Sequence, residues 1–393
     1  MRLKGKRIVL AVTGSIASVE AVKLARELKR RGAEVVAVMS ESATKIVHPN
    51  ALEFATGRRV ITELRRAEHV ELLGYNGLAD LLLIAPATAN TVSKIAHGIA
   101  DTPPTLMALT ALGSGRRVII APAMHGAMFD AIGENLNRLR KLGVEIVPPR
   151  MEEGKAKLAN LDVICLFVER ALYPKDLKDK KVVVTSGPTY EHLDPIRFIS
   201  NRSSGRMGNE IALECWRRGA EVVLITSKPL PYELPDFRQI VVRSVMDMLD
   251  AVLREVRDAD LFVSAAAPSD FVVDMVETKI KTVEELTIKL RMAPKIIKEV
   301  RKVYNGHIIG FKAETGLSDE ELVMVARKKM EEDRLEMVVA NDVKERGMGT
   351  EDTRIVVVTN GRNEWIEGDK GEVAKRIIDI YVEECLCSSP LRV

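Results

Sequence analysis

The sequence predicts an α/β protein made of two doubly wound, Rossmann-like parallel-sheet domains. Three observations carry that prediction. Aliphatic and β-branched runs recur at RIVLAV (7–12), EVVAVM (34–39), LLLIAP (81–86), RVIIAP (117–122) and VEIVPP (144–149), separated by helix-length segments. That is the alternation of a parallel sheet covered by helices on both faces. The pattern pauses at the polar, proline-containing YPKDLKDKK (173–181), then restarts with KVVVTS, EVVLIT, DLFVSAAA, HIIGFK, EMVVAND and RIVVVT. Finally, 393 residues exceed one ordinary core, since a domain typically takes roughly 100–200 residues. The expected domains are residues 1–174 and 175–393.

Element boundaries follow from local chemistry. Ser318 and Glu321 form a capping box before LVMVARKKM, and GEVAKRIIDIYVEEC carries the stripe of an amphipathic C-terminal helix. RGAEVVAVMS (31–40) and RGAEVVLITS (218–227) read alike. In each, Arg ends a helix, Gly supplies a left-handed cap and the valines begin the second strand, which is shared grammar rather than evidence of duplication.

Composition narrows the function classes. Lys plus Arg number 59 and Asp plus Glu 56, a net charge of +3 without charge blocks. This speaks against a basic nucleic-acid tail and leaves small anionic ligands open. The sequence has no apolar run of about 18 residues, and its N-terminus enters a strand at once rather than forming a signal peptide. The expectation is a cytoplasmic protein that engages neither membrane nor nucleic acid. Cys165, Cys215, Cys385 and Cys387 show no CxxC pairing and no nearby His at metal-ligand spacing, so no disulfide or zinc framework is expected. Charged residues at 29% with 4% aromatics resemble the ion-pair-rich surfaces of heat-adapted proteins.

In an open parallel sheet, ligands sit where strands end. The first exit, TGSIAS (13–18), offers the bare backbone of Gly14 and Ser15 to a phosphate, although glycine at such a turn also serves dihedral freedom alone. The second exit supplies Ser40. The third is APATANTVSK, where Thr88 and Asn90 exceed what one helix cap needs. The fourth, APAMHGAMFD (121–130), places Met124 and His125 beside a strand end.

Taken in order, these exits resemble the homo-oligomeric flavin-containing cysteine decarboxylases, and within them the decarboxylase half of the bifunctional coenzyme A biosynthesis proteins. The resemblance covers residues 5 to about 150. It implies that Gly14, Ser15, Ser40, Thr88 and Asn90 hold FMN, that His69 in AEHVELLGYNGLAD is catalytic, and that Met124 and His125 contact substrate. Two departures stand out. His125 replaces the family's usual Asn in PAMHGAMF, keeping a donor. The lid segment PPRMEEGKAKLANL lacks the cysteine of the bacterial proteins; Cys165 lies downstream in an apolar run expected to be a buried helix.

The second half begins with SGPTYEHLDPIRFISNRSSGRMG (186–208), similar nearly residue for residue to the phosphopantothenate–cysteine ligase half of the same proteins. By itself SSG is a helix cap, but a cap does not require Asn201 or the arginines. The resemblance implies a loop that holds a nucleoside triphosphate beside a phosphorylated acid. Gly187, Ser203 and Ser204 would contact nucleotide, Arg197 and Arg206 would neutralise substrate charge, and Asn201 would orient an acyl-nucleotide. Asp270, Pro294, Phe311 and Lys329 match further nucleotide contacts, and Lys279 matches the catalytic lysine. Four positions after Lys329 the bacterial pattern has a second lysine, where this chain has Asp333 followed by Arg334.

The implied chemistry joins 4′-phosphopantothenate to cysteine through a CTP-derived mixed anhydride, with Mg2+ bridging phosphates, and then removes CO2 with FMN as the electron carrier. The resemblance further implies a dodecamer or related homo-oligomer with a trimeric decarboxylase core and paired ligase halves. Two other readings compete with this one. An NAD-dependent oxidoreductase requires GxGxxG after the first strand, and neither TGSIAS nor TSGPTY fits. Alternatively, only the ligase half is fully active, the N-terminal half being a flavin-binding or divergent module.

Overall fold

The computed structural model describes residues 1–282, 285–344 and 352–386; Cys387 lies outside them. The chain divides into two compact units, Met1–Tyr173 and Pro174–Val393.

The first unit is a parallel sheet of β1 (Arg7–Val12), β2 (Glu34–Met39), β3 (Leu81–Ala87), β4 (Arg117–Pro122) and the two-residue β6 (Glu145–Ile146), in the order β2-β1-β3-β4-β6. Residues Ile8–Val12 and Leu81–Ile84 are fully buried, because helices cover both faces and leave no position for an alternating polar residue. The chain order reverses between β1 and β3, which makes their carboxyl ends the switch point. Three short antiparallel strands, β5 (Met124–His125), β7 (Arg150–Glu152) and β8 (Lys155–Lys157), form a separate small sheet in the order β5-β8-β7. They are too short for an alternation signal.

In the second unit, β9 (Lys181–Ser186), β12 (Glu221–Thr226), β13 (Phe237–Val241), β14 (Leu261–Ser264), β17 (His307–Glu314), β18 (Met337–Asp342), β19 (Asp352–Val358) and β20 (Asn363–Asp369) form one sheet, ordered β13-β12-β9-β14-β17-β18-β19-β20. The first six are parallel and switch between β9 and β14. RIVVVT, expected as one more parallel strand, lies in β19 and runs antiparallel to β18. The reason is the connection: residues 343–351 are too few for a crossover helix, so the chain can only return antiparallel. Two hairpins stand outside this sheet, β10 (Tyr190–His192) with β11 (Phe198–Ser200), and β15 (Phe271–Val272) with β16 (Arg291–Met292).

The expected caps are present. Gly32 and Gly219 have φ of 100° and 94°, and Ser318 with Glu321 closes the capping box. The arginine before each glycine has a further task. Arg31 pairs with Glu169 at 2.8 Å and Asp162 at 2.9 Å, while Arg218 pairs with Glu214, Asp176 and Asp379. Glu214 is fully buried, so an arginine is required to neutralise it.

Candidate active sites

At the switch point of the first unit, Thr13 ties the ends of β1 and β3 together. Its hydroxyl donates to Pro86 O at 2.8 Å and accepts from Thr88 N at 3.0 Å; the Ala85–Pro86 peptide is cis. The hydroxyls expected at the flavin all cap helices. Ser15 accepts from Ala17 N, Ser40 from Ala43 N, and Thr88 from Thr91 N. A hydroxyl used this way as acceptor still has a proton to give; Ser40 and Thr88 also lie 3.1 Å from the hydroxyls of Ser42 and Thr91, with which they can exchange it. Gly14 is required by space: a Cβ there would stand 2.4 Å from Ser42 Oγ and 2.6 Å from Ser42 Cβ. Asn90 is exposed at the start of the following helix.

His69 lies on the short helix Glu68–Leu73, with Nδ1 shielded from solvent and without a hydrogen-bond partner. A buried ring nitrogen in that state awaits a partner.

A cavity of about 600 Å³ lies between the β1 exit and the small sheet. Ser15, Met124 and His125 line it, together with Arg150, Lys155 and Lys157. Gly14, Ser40, His69, Thr88 and Asn90 are not part of that lining. His125 Nδ1 accepts from Ala127 N at 3.3 Å, which in the neutral ring puts the proton on Nε2 as a donor. The lysine and arginine positions escaped sequence reading because the hairpin carrying them has no periodicity. Lys157 is held by Glu152 and Glu153, which raise its pKa, and Arg150 by Glu152. Lys155 sits opposite His125 in the β5–β8 register. Cys165 is buried in the helix Leu161–Leu172, and burial pushes its thiol up to about 12 despite the opposing pull of Arg31.

In the second unit a cavity of about 580 Å³ opens at the switch point between β9 and β14. It gathers Asn201, Ser203, Ser204, Arg206, Asp270, Pro294, Phe311 and Lys329, residues spread over 129 sequence positions. The helix Arg206–Arg217 starts against it, and Gly208 allows the close approach, since a Cβ there would stand 2.7 Å from Ser186 Cβ. Ser186 Oγ is 2.7 Å from both Gly205 O and Asn209 Oδ1, fixing the loop to β9. Asn201 Nδ2 donates to Ala267 O at 3.2 Å and Pro268 O at 3.0 Å, which leaves its oxygen as the acceptor.

Charge dominates this cavity. Seven basic side chains line it against three acidic ones. Lys295 pairs with Asp270 at 2.5 Å, Arg206 with Asp369 at 3.2 Å, and Lys329 with Asp333 at 2.8 Å. Asp333 is therefore a partner of Lys329 rather than a second cation, and Arg334 is exposed outside the lining. Lys370, which sequence reading missed, is 4% exposed at the first turn of the helix Lys370–Tyr381. Burial, then Arg206, lowers its pKa. Its signal in the sequence, one Lys after an Asp cap, is indistinguishable from surface.

Three expected residues are not in the lining. Gly187, with φ of 80°, packs beside Gly205. Arg197 pairs with the buried Asp194 at 2.7 Å. Lys279 is exposed.

Each unit is a doubly wound parallel-sheet domain with a cavity at the carboxyl ends of its strands. Residues 1–172 match the Flavoprotein family and residues 177–384 the family described as DNA/pantothenate metabolism flavoprotein C-terminal domain. A coenzyme A biosynthesis bifunctional protein CoaBC from Thermococcus kodakarensis is 52% identical over 367 residues, covering 91% of this chain and 90% of that protein. Its counterpart from Methanocaldococcus jannaschii is 38% identical, covering 96% and 93%. That from Escherichia coli K12 is 33% identical, covering 94% and 93%. A solved C-terminal domain of such a protein superposes with a TM-score of 0.45 at 30% identity, covering 55% of this chain and all of that one. The chain belongs to the family of coenzyme A biosynthesis bifunctional proteins.

Proposed function

We propose that the second unit condenses 4′-phosphopantothenate with cysteine at the expense of CTP, and that the first unit decarboxylates the product to 4′-phosphopantetheine. The observation that carries the ligase reading is the 580 Å³ cavity with its excess of basic side chains, at the switch point where a nucleotide is expected. The substrate carboxylate attacks the α-phosphorus of the nucleotide and pyrophosphate leaves. The amine of cysteine then displaces the nucleoside monophosphate from the mixed anhydride. Ser203, Ser204, Lys329 and Lys370 are suited to phosphate oxygens, Phe311 and Pro294 to the base, and the free oxygen of Asn201 to a donor on the intermediate. Lys279 is assigned to the charge that builds on the α-phosphate. Mg2+ would be carried largely by the nucleotide's own phosphates, as such small hard cations commonly are.

In the first unit, FMN fits what the residues offer: hydroxyls at three strand exits, a Gly14 turn packed tightly against Ser42, and the partnerless Nδ1 of His69. When bound, it supplies reversible two-electron chemistry at the cysteine thiol. His69 is assigned to proton movement beside the reacting carbons. His125 Nε2 and Lys155 are suited to the substrate's anionic groups in the 600 Å³ cavity. The proposed setting is a cytoplasmic homo-oligomer, a dodecamer or a related assembly, with trimeric decarboxylase and dimeric ligase contacts; sedimentation tests it. No helix among the described residues is long and apolar enough to cross a membrane.

The decisive experiment incubates the protein with phosphopantothenate, cysteine, CTP and magnesium and weighs the products. Phosphopantetheine is expected. Accumulation of the cysteine adduct alone would refute the decarboxylase half, and absence of both masses the ligase half.

A further inference from the structure

We infer that Asp194 is the positioning residue of Lys279, through a clamp on the peptide that follows it, and that this clamp fixes Lys279 and Asn201 to one hairpin. The inference rests on the proposed catalytic role of Lys279.

Asp194 is fully buried and accepts four hydrogen bonds. Oδ1 takes the N–H groups of Ile196 at 2.7 Å and Arg197 at 2.8 Å. Oδ2 takes the Arg197 guanidinium at 2.7 Å and, 86 residues away, Ile280 N at 3.1 Å. The same guanidinium nitrogen donates to Ile280 O at 3.0 Å. Both backbone groups of Ile280, the residue after Lys279, are thus held by one ion pair whose carboxylate is buried and whose guanidinium is half-exposed. A second tie sits on the other side, where Val276 N donates to Leu193 O at 2.9 Å. Between these two ties the exposed Lys279 has little freedom of path.

The clamp is continuous with the cavity. From Arg197 the chain runs through β11 directly into Asn201, whose amide is locked onto Ala267 O and Pro268 O. Ser200 Oγ donates to Thr189 O at 2.7 Å, and Thr189 Oγ1 accepts from Ser269 N, fastening the hairpin to the β14 exit. Asp194 lies outside the cavity lining, so its effect on catalysis must pass through the segments it holds. Burial alone would make this carboxyl a weaker acid, but its backbone N–H donors and Arg197 outweigh that and hold it far below the usual range. It remains a carboxylate at working pH. Arg197, expected to bind substrate, spends one terminal nitrogen on the clamp.

A misplaced catalytic group costs on the order of 100-fold, and groups that act as one unit are not additive. The test measures CTP- and phosphopantothenate-dependent pyrophosphate release for the full chain and for Asp194→Asn, Lys279→Ala and the double variant. Asp194→Asn is expected to lower kcat about 30- to 100-fold with KM for CTP within about threefold. In the Lys279→Ala background the same change is expected to cost less than about threefold. Full multiplicative losses in the double variant, or an unchanged kcat for Asp194→Asn, would overturn the inference. If Lys279→Ala alone leaves the rate unchanged, the role of Lys279 falls and the clamp with it. Ile280→Pro, which removes the N–H given to Oδ2 and also confines the backbone of Lys279 before it, covers the case of a poorly folded Asp194 variant and should lower kcat at least as much. Hydrogen exchange supplies a readout independent of activity: the amide of Ile280 is expected to lose protection in Asp194→Asn, and retained protection counts against the clamp.

Discussion

Replacing Lys370 by Met separates binding from stability, because the structure gives the two effects opposite signs. The ammonium is 4% exposed, stands near Arg206 and sits in the first helical turn, where the helix dipole disfavours a cation. Its pKa is lowered, first by burial and then by Arg206. Folding therefore disfavours the charged form. That penalty is complete below the folded pKa and is relieved as pH rises toward the unfolded lysine value of about 10.4. Met has a similar length and no charge, so the variant without nucleotide is expected to melt at the same temperature or a few degrees higher at neutral pH. The stability of the unmodified protein should rise relative to the variant between neutral pH and pH ~10. CTP binding should move the other way. A charge-assisted contact to a phosphate oxygen is worth about 1.5–3 kcal/mol, which corresponds to a loss of roughly 10- to 150-fold in affinity. Calorimetric titration with CTP and a thermal melt on the same samples read both signs. A CTP dissociation constant within about twofold of the original, or a variant destabilised by several degrees, would refute the assignment of Lys370 to the triphosphate.

Further outcomes follow from individual contacts. Gly14→Ala forces a Cβ to within 2.4 Å of Ser42 Oγ, so the purified variant should carry much less flavin absorbance than the original protein at equal concentration. Cys165, with its thiol raised to about 12, should resist alkylation at pH 8 in the native state and react fully in denaturant; Cys165→Ala should retain decarboxylase turnover, and its loss would return Cys165 to the site. Asp333→Asn releases Lys329 from its 2.8 Å partner and should lower KM for CTP about two- to fivefold, or about 0.5–1 kcal/mol; a raised KM would mean that Asp333 orients Lys329 instead of competing for it. Arg218→Met removes the 3.1 Å partner of the fully buried Glu214, leaving it Arg217 at 3.6 Å, and should destabilise the second unit by about 3 kcal/mol, read by urea unfolding.

The sequence by itself determined the elements whose physics is local. Buried parallel strands announced themselves as unbroken aliphatic runs, because covered sheets leave no polar face. Caps were legible from Ser318 with Glu321, and from the glycines at 32 and 219, because they depend on neighbours a few residues away. The loop 201–208 was legible because its composition exceeded what capping requires. Only the tertiary structure decided which distant groups meet. It brought Lys370 to Arg206 across 164 positions, paired Lys329 with Asp333, and turned Arg197 toward Asp194 rather than into the cavity. It also turned RIVVVT antiparallel and built a small sheet from strands of two and three residues. A charged side chain in a polar segment has the same local pattern whether it ends in solvent, in an ion pair or at a ligand. Its fate is set by burial and by partners that the chain supplies from elsewhere.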